Sequence, residues 1–165
     1  MAATYRLRLC RPQPRALHGF TLVELMCTLA VLAILAFAAA PSFASLMAGQ
    51  RVRSASLDLS SALLLARSEA VKRNATVTLA PAGAAWTAGW TVSAGAETVR
   101  TFGPYGGLAI TSSAAGAVVL GNDGRLTGAA MRFELAPAND TSAALRACVQ
   151  VSETGRVASD TGACP

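Results

Sequence analysis

The sequence predicts an α+β chain. One long N-terminal helix, transmembrane in its first half and amphipathic in its second, packs on a β-sheet head. Three observations carry this reading. Residues 20–40 are apolar and uncharged except for Glu24. Residues 51–74 hold an apolar stripe at helical spacing, with no Pro or Gly. After Asn74, Gly and Pro recur at turn spacing between short β-branched runs.

The first element is set by hydropathy and charge. Phe20 to Ala40 is 21 residues, about 30 Å as a helix, which is the thickness of a bilayer core. The formal charge is +5, but Arg6, Arg8, Arg11 and Arg15 all precede Gly19 and no acid does. Beyond Gly19 ten basic residues face nine acidic ones. The basicity therefore reads as positive-inside targeting rather than a nucleic-acid footprint. A secretory signal cut after Ala40, at "AFAAAPSFA", is the rival reading. Glu24 argues against it, because a disposable apolar segment has no use for a buried acid. An intramembrane carboxylate is functional by default and needs a partner.

The second element is "RVRSASLDLSSALLLARSEAVKRN", 51–74. Val52, Ala55, Leu59, Ala62, Leu63, Ala66 and Ala70 recur at three- and four-residue spacing and form one apolar face. Arg51, Asp58, Ser61, Ser68 and Lys72 fall mostly off it, and Glu69 can pair with Arg73 one turn on. Pro41 is expected to kink the helix rather than end it. The expectation is one helix from about Phe20 to Arg73, roughly 80 Å long.

The head follows. Eight strands are expected at 76–79, 89–93, 98–102, 108–111, 117–120, 131–135, 147–151 and 155–158. "GNDG", 121–124, reads as a hairpin turn and not as a calcium loop, since a lone Asp123 is too few ligands. Trp86 and Trp90 lie four apart, which in a strand puts both on one face as core anchors. Cys148 and Cys164 lie beyond the membrane, where thiols oxidise, and a disulfide is expected between them. Its loop of about 15 residues is worth roughly 3 kcal/mol in the chain-entropy model. Cys10 lies before the apolar run and Cys27 within it.

Several function classes are disfavoured. The sole His, His18, precedes the apolar run, so nothing after it can build a Ser-His-Asp or Cys-His arrangement or a His-ligated metal site. Lys72 is the only lysine, and no phosphate-cradling Gly-rich loop ends in Lys-Ser/Thr. No enzyme activity, cofactor or metal is expected.

"GFTLVEL", 19–25, resembles the processing site of type IV pilins and type II secretion pseudopilins. That resemblance implies cutting by a prepilin peptidase after Gly19 and N-methylation of the new terminus at Phe20. It makes Glu24 the fifth mature residue and Pro41 the twenty-second. The cationic amine created at Phe20 offers Glu24 of a neighbouring subunit a partner, so the pair acts as a register device during assembly. "ARSEAVKRN" and "WTAGWTV" are similar to segments of the GspH/FimT group of minor pilins and pseudopilins. The implied organisation is a leader at 1–19, a transmembrane and polymerisation helix at 20–41, an amphipathic helix half at 42–75 and a β-rich periplasmic head at 76–165. The implied partners are other major and minor pilins or pseudopilins, prepilin peptidase, the inner-membrane assembly platform and the inner membrane itself. A bacterial single-pass inner-membrane protein, later built into a pilus, is the expectation. A GspH-type pseudopilin of type II secretion is the alternative. A DNA-binding minor pilin for natural transformation is the second alternative. Some family members carry a C-terminal Gly-Arg-x-Arg element tied to DNA. Here Gly155 and Arg156 match it, but Ala158 replaces the second basic residue. Arg156 is therefore a candidate DNA contact, disfavoured by the near-neutral charge, with Arg125, Arg132 and Arg146 as candidate helpers.

Overall fold

The computed structural model describes residues 20–139 and 143–165. The helix α1 spans Leu22–Arg73, so neither Pro41 nor Gly49 ends it. The chain divides into two compact units at Ala40/Pro41.

In the first unit, Leu22–Ala40 is long and apolar enough to cross a membrane and is wholly unburied by the protein. Its large side chains, Leu25, Leu29, Leu32 and Leu35 among them, are exposed. Such a helix in water would be a liability, and a lipid or protein environment is what this surface suits.

The second unit carries the core. Every residue of the expected stripe, Val52, Ala55, Leu59, Ala62, Leu63, Ala66 and Ala70, is buried. Small residues, Ala55, Ala62, Ala66 and Ala70, make up much of that face. Two antiparallel four-stranded sheets lie against it. In chain order the strands are β1 (Val77–Pro81), β2 (Trp90–Ala94), β3 (Glu97–Phe102), β4 (Leu108–Ser112), β5 (Val118–Leu120), β6 (Met131–Pro137), β7 (Ala147–Val151) and β8 (Val157–Thr161). The first sheet has the order β3-β2-β1-β5 and the second β4-β6-β7-β8. Alternation sets their inner faces: Val77, Leu79, Trp90 and Val92 from the first, and Met131, Phe133, Leu135, Val149 and Val151 from the second, join the helix stripe in one core. Each such large side chain contributes about 1.5–3 kcal/mol by burial.

All eight expected strands are present, with two local corrections. Trp86 is not in a strand. It opens a 3-10 turn, Trp86–Ala88, and only Trp90 begins β2. Both indoles are buried as anchors nonetheless. Trp86 meets Phe133 edge-on at 4.8 Å, and Trp90 stacks on Tyr105 at 4.5 Å. Gly89 between them has φ +100°, and a Cβ there would lie 2.1 Å from the Phe102 carbonyl oxygen, so the spacer must be glycine. The last strand starts at Val157 rather than at Gly155, because Gly155 closes the β7–β8 turn by donating its N–H to the Ser152 carbonyl.

The "GNDG" turn forms as expected. The Gly124 N–H donates to the Gly121 carbonyl, the Asp123 carboxylate accepts from the Arg125 N–H, and Leu120 bridges to Leu126.

Candidate assembly and processing site

The site expected from the sequence lies at the start of α1. Thr21 is the residue before the helix. Its carbonyl accepts from the Leu25 N–H at 3.1 Å, and its hydroxyl accepts from the Glu24 N–H at 3.2 Å. This is half of a capping box, Thr-x-x-Glu, and it fixes Glu24 at the third helical position. The sequence signal for it is "TLVE", Thr21 three residues before Glu24. Two groups are thereby set. Phe20 precedes the cap and is exposed, and Glu24 projects from the first turn, where the helix dipole favours an anion. Among the described residues no cation reaches the Glu24 carboxylate. An intramembrane carboxylate calls for a partner. Gly19, the residue before the expected cut, lies outside the described residues.

The remaining candidates lie in the head. Cys148 and Cys164 are joined by a disulfide. After β8 the chain turns at Gly162 and returns across the second sheet, so that Cys164 Sγ approaches the Phe133 carbonyl and the Arg132 guanidinium donates to the Pro165 carbonyl. Cys27 is free and exposed in the apolar half of α1.

Arg156 follows the β7–β8 turn and shares a small cleft with Arg132, Gln150 and Ala158. Arg146 lies at the opposite end of β7 and is ion-paired with Glu134. The structure thus brings Arg132 to Arg156 and keeps Arg146 apart. Arg125 sits on the neighbouring turn, where the Leu126 N–H donates to the Glu153 carbonyl.

Three contacts that seat the head on α1, Tyr105–Asp58, Arg67–Gly155 and Arg73–Glu97, had no signal in the sequence. The Tyr105 hydroxyl donates to the Asp58 carboxylate at 3.0 Å, tying the loop after β3 to α1. Burial, and then Asp58 itself, push the Tyr105 phenol far above its ordinary range. Arg67 donates to the Gly155 carbonyl at 3.2 Å and so seats the β7–β8 turn on the helix. Arg73 bridges Glu69 on its own helix and Glu97 on β3, both at 2.6 Å. The described residues hold no cluster of metal-ligating side chains.

A capped apolar helix with an acid in its first turn, continuing into an amphipathic half that packs on two antiparallel sheets, defines a pilin-like subunit. Residues 55–155, more than half of the chain, match the family described as Type II transport protein GspH, and residues 15–40 match the prokaryotic N-terminal methylation motif. The chain belongs to the GspH family, whose members are structural subunits and not enzymes. Two crystal structures of the type IV minor pilin FimU of Pseudomonas aeruginosa (strain PAO1) share the fold. One aligns with TM-score 0.60 at 20% identity, covering 67% of this chain and 89% of that one. The other aligns with TM-score 0.58 at 20% identity, covering 66% and 92%. No curated protein matches the chain.

Proposed function

We propose that this chain is a minor pilin, cut after Gly19, N-methylated at Phe20 and built into a type IV pilus near its tip, where it helps to prime assembly for twitching motility, adhesion or DNA uptake. The observation that carries the reading is Glu24, held by the Thr21 cap at the head of an unburied apolar helix. Residues 20–41 anchor the precursor in the inner membrane and then polymerise. Residues 42–75 join that helix to the head at 76–165. The arginines before Gly19 favour a cytoplasmic start, and the disulfide favours an oxidising, periplasmic head. Its partners are other pilins, the prepilin peptidase and the inner-membrane assembly platform. A second reading, a minor pseudopilin of a type II secretion system, is supported by the family description itself.

Mass spectrometry of the membrane-resident mature protein tests the common core of both readings. N-methyl-Phe20 is the expected start, and Gly19→Val should leave the precursor uncut, because a branched chain replaces the residue the peptidase must accommodate. A mature terminus at or beyond Pro41 would sink both readings.

A further inference from the structure

The second sheet ends in an unprotected strand. Among the described residues β8 pairs only with β7. The hydrogen bonds flanking that pair, Ser152 N–H to the Arg156 carbonyl and Gly162 N–H to the Arg146 carbonyl, fix which residues face inward. With Gln150 opposite Ala158 and Cys148 opposite Asp160, the even-numbered β8 residues bond to β7. The backbone N–H and C=O groups of Val157, Ser159 and Thr161 therefore point to the free edge. Beside that edge runs a groove of about 510 Å³ between β8 and α1. Its walls include Leu46 and Leu57, which are 64% and 59% exposed, with Leu145 at one end. Its rims carry opposite charges, Arg53 on the helix and Asp160 on the strand, and neither has an ion-pair partner among the described residues. The disulfide holds the chain that follows β8 against Cys148 on β7, one strand in from this edge.

We propose that this edge takes up an extended segment of a different fibre subunit as an added fifth strand, a site that rests on the fibre-subunit reading above. An extended peptide satisfies the outward N–H and C=O groups of β8 and lays alternate apolar side chains onto Leu46, Leu57 and Leu145. An acid in that segment meets Arg53 and a base meets Asp160. The charge pair selects the segment and its direction, and the backbone ladder supplies affinity.

Proline discriminates this role from a merely structural one. The Ser159 N–H faces the free edge, so Ser159→Pro leaves the β7–β8 ladder intact and removes a donor only an added strand would use. In the full-length protein, Ser159→Pro should keep the Cys148–Cys164 bond and wild-type protease resistance. Its incorporation into sheared fibres should fall about tenfold, as expected for the loss of roughly one good hydrogen bond. Arg53→Glu, which touches no backbone ladder, should reduce incorporation in the same direction. A photo-crosslinking benzoylphenylalanine at position 159, in intact cells, should form an adduct with an extended segment of another subunit. An adduct with a helix or with a second copy of this chain would overturn the proposal, as would wild-type incorporation of Ser159→Pro and Arg53→Glu. Absence of the wild-type chain from fibres would sink the fibre reading and this site with it.

Discussion

Glu24 carries the functional argument with one carboxylate, and its neighbour Thr21 explains why it is held so firmly. The cap leaves Glu24 at the third helical position, where the helix dipole offsets a small part of its charge, typically about 0.3–1 kcal/mol near a surface. That is less than the translocon-scale cost of about 2.5–3.5 kcal/mol for an acid at the centre of a membrane helix, so a cation from elsewhere is still called for. Glu24→Ala should therefore insert more favourably than the wild type and, on the proposed pairing with a neighbour's terminal amine, enter the fibre at least about tenfold less. Thr21→Ala separates charge from helix geometry. It loses only a cap, worth about 1 kcal/mol, and should incorporate better than Glu24→Ala. Quantitative blotting of this subunit in sheared fibres is the measurement, since bulk piliation would mask one defective minor component. Equal incorporation of Glu24→Ala and wild type would refute the pairing argument.

At the scale of elements, the helix and strands were legible because their signals are local. The 3.6-residue stripe from Val52 to Ala70 named the buried face residue by residue, and the β-branched runs located all eight strands. What was not legible depends on long-range closure. Trp86 looked like a strand residue four before Trp90, but Gly89 and the close approach of the Phe102 carbonyl force a 3-10 turn there. Asp58 looked like a solvated residue off the stripe, and nothing in sequence spacing announces Tyr105 as its partner. The Glu69–Arg73 pair was legible at one-turn spacing, whereas its extension to Glu97, on β3, was not. That extension pins the end of α1 to the first sheet. Hydrogen bonding to Arg73 holds both carboxyls below their ordinary 4.5. Groups with depressed folded pKa values stabilise fully above the unfolded value and lose that contribution as pH falls through the folded one. Thermal unfolding between pH 7 and pH 3 should thus show the wild type losing stability below about 4.5. Glu97→Gln should lose less over the same interval. The difference should shrink in high salt, because Glu97 is largely exposed. Parallel pH profiles for the two proteins would show that the clamp contributes nothing.

For the whole molecule the open question is whether the head reads DNA, and the distribution of its arginines decides the expectation. Of the four candidates, Arg146 is paired with Glu134 at the far end of β7, and Arg125 lies on a separate turn. Only Arg132 and Arg156 line one cleft, and Arg132 already donates to the Pro165 carbonyl. Two phosphate contacts predict a salt slope no steeper than about −2, since each contributes about −0.9 on duplex DNA. The mature chain in detergent should therefore bind duplex weakly at physiological salt, and Arg156→Ala should change little. The register supplies a sharper test. Arg132 lies opposite Gln150, and Gln150 opposite Ala158, so these three share one row on the outer face of the sheet. Ala158→Arg places a second guanidinium on that row, one strand beyond Gln150 and beside Arg156. It should raise duplex affinity and steepen the salt slope by about one unit, whereas Ala158→Gln should do neither. Tight binding by the unmodified chain, abolished by Arg156→Ala, would overturn this ranking and make the Arg132–Arg156 cleft a working DNA site. The titration must be run with the disulfide intact, because the tail that Cys164 anchors is what places Pro165 against Arg132.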